Sequence, residues 1–143
     1  MRLLTRREHA AGELAEKLRR KGHAPGDIDQ ALQQLRAQGL QSDERYAEIL
    51  TRTRVEAGYG PLRIRQELAR AGVEAALIDA ALEPYRSEWV ERAENARRRR
   101  FRKPPPRDYR ERARQARFLL YRGFPAELVR ALLDHSGTPI DEE

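Results

Sequence analysis

Gly22, Gly72 and Gly123 stand 50 and 51 residues apart, and their neighbours repeat with them. Four positions before each glycine is a leucine: Leu18, Leu68 and Leu119. Six positions after come Ile28, Ile78 and Val129; nine after, Ala31, Ala81 and Leu132; ten after, Leu32, Leu82 and Leu133. Five columns held through three frames make a repeat, not the coincidence that any Leu/Ala-rich chain can show. A repeat of this length constrains the fold more than composition does. A unit of about 50 residues buries little apolar surface alone, so stacked neighbours must complete each other's cores.

Each unit reads as a helix, a glycine stop, a short turn and a second helix. Glycine after a helix adopts the left-handed conformation without a Cβ clash. Arg19, Arg20 and Lys21 precede Gly22, where cations favour the carbonyl end of the helix dipole. The second helices carry apolar residues at i, i+3, i+4 spacing: Ile28, Ala31, Leu32 and Leu35; then Ile78, Ala81 and Leu82; then Leu128, Val129, Leu132 and Leu133. Pro125 suits a first-turn position. A further helix precedes each pair. Ser42-Asp43-Glu44 is an acidic helix start, and Tyr46, Ile49, Leu50, Thr53 and Ala57 trace one face of the helix that follows. Gly58-Tyr59-Gly60-Pro61 ends that helix, and Pro61 opens the next at its first position. In the third unit the equivalent helix is expected over about residues 87–102, with Ser87 as its cap and Trp89, Ala93 and Ala96 on one face. Pro104-Pro105-Pro106 stops it, since proline removes the donor and fixes an extended backbone. Counting back 50 positions from Ser42 falls nine residues before Met1. The first helix of unit one is therefore expected to be short, about residues 3–9, unless the chain starts further upstream. The expectation is an all-α fold of three tandem three-helix repeats at residues 1–40, 41–84 and 85–135, with a flexible tail at 136–143.

Composition agrees with thin, charged helices. Leu, Ile, Val and Phe make up 29 of 143 residues, about 20% and near the edge of the disordered class. Twenty alanines pull toward helix, because Ala has the best helix propensity. No run approaches the ~18 apolar residues of a membrane-spanning helix, and residues 1–15 hold no apolar stretch of a signal peptide. With no cysteine, disulfides, thiolate metal sites and cysteine nucleophiles are excluded. The cytoplasm is the expected location.

Charge is distributed unevenly. Residues 86–122 hold 14 Lys+Arg against Glu88, Glu91, Glu94, Asp108 and Glu111, a surplus of +9 within a chain whose net charge is +6. Such a concentration suits a polyanion: nucleic-acid phosphates or an acidic protein groove. The candidate contacts are Arg97, Arg98, Arg99, Arg100, Arg102, Lys103, Arg107, Arg110, Arg114 and Arg117, with Arg63, Arg65 and Arg70 of the second unit as a further set. Among the aromatics of the segment, Trp89, Phe118 and Phe124 are expected in the core at helical spacing. Phe101 and Tyr109 are expected at the surface, where they could stack on bases.

Catalytic patterns are missing. His9, His23 and His135 are scattered without metal-ligand spacing, no serine lies in a Gly-x-Ser-x-Gly context, and Gly58-x-Gly60 is too short for a phosphate loop. Asp27 and Asp29 fall at a helix start, where capping explains them. No enzyme activity, cofactor or metal is expected.

Residues 43–73, DERYAEILTRTRVEAGYGPLRIRQELARAGV, resemble the central motif of the RecX regulatory proteins. Arg7-Glu8-His9 with Glu13-Leu14 and Lys17-Leu18 resemble that family's first unit, and Arg122-Gly123-Phe124 its third. The resemblance spans about residues 3–134 and includes the order of the three units. It departs at Ala10-Ala11, where the family commonly has a serine cap. The resemblance implies an elongated, curved, solenoid-like body that lies in the groove of the bacterial RecA filament on single-stranded DNA. There it would impede filament growth and lower RecA's ATP hydrolysis, strand exchange and co-protease action in recombination, DNA repair and the SOS response. It also implies that single-stranded DNA can be a direct partner. A monomer is expected. The alternative is a stand-alone helical DNA-binding module without RecA dependence.

Overall fold

The computed structural model describes residues 9–39, 41–102 and 108–137. Among these are eight α-helices, one 3₁₀ turn and no strand. The helices are α1 (Ala11–Arg20), α2 (Pro25–Ala37), α3 (Asp43–Glu56), α4 (Pro61–Arg70), α5 (Ala75–Leu82), α6 (Trp89–Phe101), α7 (Tyr109–Tyr121) and α8 (Ala126–Gly137), with the 3₁₀ turn at Glu83–Tyr85. The fold is all-α, as the repeat requires. The expected helix at residues 3–9 and the triple-proline stop lie outside the described residues, His9 apart, and so does most of the expected tail. Ser136 and Gly137 belong to α8.

The repeat marks the helix ends. Gly22, Gly72 and Gly123 have φ of +93°, +92° and +100°, the left-handed residue that closes a helix. After each, a backbone amide returns to the repeated leucine column: His23 N–H to Leu18 O, Val73 N–H to Leu68 O and Phe124 N–H to Leu119 O.

The helices gather into two compact units. One contains α1, α2, α3 up to Arg52, α4 from Arg65, and α5. Here α1 packs on α2 around Leu14, Ile28, Leu32 and Leu35, and Ile78 and Leu82 of α5 are buried as well. The other unit contains the end of α3, the start of α4, and α6, α7 and α8. Its three long helices pack on one another around Ala93, Ala96, Leu119, Phe124, Val129 and Leu133. Trp89 and Phe118 are half-buried at the edge of that core.

The columns Ile28/Ile78/Val129 and Leu32/Leu82/Leu133 are buried throughout. The leucine column is not uniform: Leu68 and Leu119 are fully buried, whereas Leu18 is half-buried at the edge of its cluster. The buried face of α3 also differs from the expected one. Thr53 and Ala57 are exposed, and Ala47, Thr51 and Val55 are buried instead. Tyr46 is buried as expected and Ile49 and Leu50 are half-buried, but the inward row continues through Ala47, Thr51 and Val55 at i, i+4 and i+8, so the expected stripe drifts off the buried face toward the end of the helix.

Helix starts show two further differences. Ser42 caps α3 as expected, its Oγ accepting from Arg45 N–H at 3.1 Å. Ala10 has no side chain with which to cap α1. That role passes to Asp43, whose Oδ1 accepts from Ala11 N–H at 2.8 Å and from Gln41 Nε2 at 2.7 Å. Ser87 does not cap α6, which starts at Trp89 after Glu88.

Truncating Leu68 to Ala should cost about 2–5 kcal/mol of unfolding free energy, read from urea denaturation. Leu18→Ala should cost distinctly less. Equal losses at the two sites would contradict the burial pattern.

Candidate polyanion interface

In the second compact unit two distant turns meet backbone to backbone. Gly60 N–H donates to Arg122 O at 2.7 Å, and Leu62 N–H donates to Gly123 O at 2.9 Å. A Cβ at position 60 would lie 2.6 Å from the Gly123 carbonyl, and one at position 123 would lie 2.5 Å from Arg63 Cβ. Both positions therefore require glycine, because real Cβ atoms do not approach backbone so closely.

This clasp sets arginines between aromatic rings. Arg63 lies 4.5 Å from the Tyr59 ring centre and 5.1 Å from that of Tyr121. Arg122 lies 4.7 Å from Tyr59 and 4.9 Å from Phe118. Arg100 continues the series, 5.8 Å from Phe118 and 5.2 Å from Phe101, and Arg114 lies 4.9 Å from Phe101. Every separation falls within the ~6 Å at which a ring face attracts a cation. Arg122 also donates to Ala57 O at 3.0 Å, and Arg63 to Tyr121 O at 3.3 Å. Cations and rings thus alternate from Tyr121 through Arg63, Tyr59, Arg122, Phe118 and Arg100 to Phe101 and Arg114.

The expected contact residues do not all face outward. Arg97 is 1% exposed. Its Nε and Nη2 donate to the two carboxylate oxygens of Glu94 at 3.0 and 2.7 Å, and its Nη1 reaches Gln115 Oε1 at 3.4 Å. Its charge is satisfied inside the unit, so it leaves the contact set. Phe101, expected at the surface, is buried against Phe118 with ring centres 5.5 Å apart. Tyr109 is 79% exposed, as expected.

Arg98, Arg99, Arg100 and Arg102 are exposed on and after α6, with Arg98 held by Glu94 and Asn95. On α7, Arg110, Arg114 and Arg117 recur at i, i+4 and i+7, which places them on one face. All three are exposed, and Arg114 alone of them pairs with a carboxylate among the described residues, that of Glu111 at 3.0 Å. Lys103 and Arg107 lie outside the described residues. The second set divides. Arg63 belongs to the stacked series, while Arg65 and Arg70 are exposed in the other compact unit, Arg65 paired with Asp79 at 2.8 Å. Sequence reasoning did not place Arg122, Tyr59 and Tyr121 at this surface. The signal was present in the Gly-Tyr-Gly-Pro turn and the Arg-Gly-Phe triplet, which were read as a helix end and as family motifs and not as ring–arginine contacts.

Family models for RecX match almost the whole chain: the first three-helix domain at residues 1–35, the second at 42–82 and the third at 87–133. The chain belongs to the RecX family. It is 49% identical over 131 residues to the regulatory protein RecX of Halorhodospira halophila, a match that covers 92% of this chain and 81% of that protein. It is 46% identical over 142 residues to the RecX of Pseudomonas fluorescens, covering 99% and 90%. Its fold is similar to the crystal structure of RecX from Lactobacillus salivarius, with a TM-score of 0.72 at 23% identity over 94% of this chain and 89% of that one. A second crystal structure of a regulatory protein RecX matches with a TM-score of 0.75 at 25% identity, covering 92% of this chain and 66% of that one.

Two substitutions test this geometry. Arg97→Ala should lower stability by roughly 2–4 kcal/mol, because it breaks a buried hydrogen-bonded pair. Arg98→Ala should change it by less than about 0.5 kcal/mol. Equal effects in thermal melts would contradict the inward placement of Arg97. Gly60→Ala should cost at least about 1–3 kcal/mol by overpacking, and a melt unchanged from wild type would contradict the clasp.

Proposed function

We propose that this chain binds the RecA filament on single-stranded DNA and restrains RecA activity in recombination and repair, acting by occupancy and without catalysis. The observation that carries the reading is the cationic face of α7, where Arg110 and Arg117 have no carboxylate partner among the described residues, in a chain of the RecX family. A RecA–DNA filament is a polyanion, and an exposed row of guanidiniums can pair bidentately with phosphates or acidic side chains. Binding would release condensed counterions, so it would be strong at low salt and steeply salt-dependent. Direct contact with single-stranded DNA follows from the same chemistry, with the exposed Tyr109 ring available for base stacking. The reading includes a monomer working in the cytoplasm, where RecA and its DNA are found.

Reversing Arg110 and Arg117 to Glu should weaken binding to RecA–single-stranded DNA filaments by well over tenfold and relieve inhibition of filament growth. The circular dichroism spectrum should stay unchanged. The wild type should lose affinity with added salt faster than the variant, which has fewer ion contacts to screen. A variant that binds and inhibits as well as wild type would remove this face from the interface.

A further inference from the structure

Arg100 and Arg122 of the stacked series border a cavity. It has a volume of about 470 Å³ and lies within the second compact unit, among the C-terminal end of α3, the α6 face and Phe118 of α7. Four guanidiniums line it: Arg92, Arg99, Arg100 and Arg122. Only Arg92 has a carboxylate partner among the described residues, Glu88 at 2.8 Å. Arg100 and Arg122 are instead held by the rings of Phe118, Phe101 and Tyr59, and Arg122 by the Ala57 carbonyl. These contacts fix the positions of the cations without neutralising them.

The charge count decides what such a cavity accepts. Arg92 is offset by Glu88, and Arg99, Arg100 and Arg122 against the lining carboxylate of Glu56 leave +2. A phosphodiester brings one negative charge, whereas a triphosphate concentrates three to four in one small group. The cavity also has an apolar part, Val55, Ala96 and Phe118, and a polar part. In the polar part, Asn95 accepts from Arg98 through Oδ1, which leaves its amide nitrogen to donate. Its volume lies within the roughly 300–1,000 Å³ of small-molecule sites. We propose that this cavity binds a nucleoside triphosphate. Arg99, Arg100 and Arg122 take the phosphates, the base lies against the apolar wall, and Asn95 and Glu56 meet its polar edge or the sugar hydroxyls. The inference rests on this cavity alone and does not depend on RecA.

The test is calorimetric titration of the full chain, with neither RecA nor DNA present, using ATP, tripolyphosphate, adenosine and a twelve-residue oligo(dT). ATP should bind, tripolyphosphate should bind more weakly, and adenosine should give no measurable heat. Arg99→Gln and Arg122→Gln should each weaken ATP at least tenfold, the loss of one charge-assisted hydrogen bond. Arg130→Gln, exposed on α8 and outside the cavity, should leave ATP affinity unchanged. If Arg122→Gln lowers the melting temperature, Arg99→Gln decides alone, because that side chain is exposed. The proposal is overturned if ATP does not bind, or if tripolyphosphate binds as tightly as ATP. It is also overturned if Arg130→Gln weakens ATP as much as Arg99→Gln does. Binding of oligo(dT) that depends on Arg99 in a chain that does not bind ATP would make the cavity a strand site and overturn it too. Failure here leaves the filament reading standing, since that reading is tested on residues outside the cavity.

Discussion

A backbone contact with no room for a side chain organises the charged unit. The Gly60–Leu62 segment meets Arg122-Gly123 through two main-chain hydrogen bonds, from Gly60 N–H and Leu62 N–H, and neither Gly60 nor Gly123 can carry a Cβ without displacing the opposite segment. Main-chain bonds are insensitive to which side chains flank them, so the residues on either side are available for other work. Tyr59 and Arg63 flank one half; Tyr121 and Arg122 flank the other. Their interleaving is the direct result of bringing two turns 63 positions apart in sequence into contact. The other compact unit has a similar close approach: a Cβ on Gly12 would lie 2.5 Å from the Ala71 carbonyl, beside Gly72. In both cases a left-handed glycine ending one helix abuts residues at the start of another, which is what a repeat of this period would produce.

The same unit must tolerate a surplus of positive charge. It does so in three ways that differ in what they leave available. Arg97 is paired inside with Glu94 and Gln115, and it contributes to the core. Arg100 and Arg122 lie on aromatic faces, which hold a guanidinium plane but leave its charge and much of its donor capacity open. Arg110 and Arg117 project from α7 into solvent, where water screens their repulsion. Counting charges along the chain cannot separate these groups. Four consecutive arginines, 97–100, look equivalent in sequence, yet the helical turn sends one into the core and the next three outward.

The repeat made much of the fold legible. Glycine and leucine columns located the helix ends, and two apolar columns were buried in all three frames. Local rules failed where a distant residue intervened. Asp43 caps α1 across 32 positions, so the Ala11 amide has a side-chain acceptor although Ala10 supplies none. Thr51 is buried on α3 with no hydrogen-bond partner for its hydroxyl among the described residues, a placement that side-chain polarity argues against. Phe101 follows four arginines and was expected outside, but Phe118 covers it from α7. At the interface, the positive segment was legible from composition, whereas the stacked order of arginines and rings depends on the glycine clasp and could not be read from spacing.

The most direct measurement is a cryo-electron microscopy reconstruction of this chain bound to a RecA–single-stranded DNA filament. The face of α7 that carries Arg110, Arg114 and Arg117 should lie within hydrogen-bonding distance of phosphates or acidic side chains of the filament. A bound chain with that face turned to solvent would contradict the account.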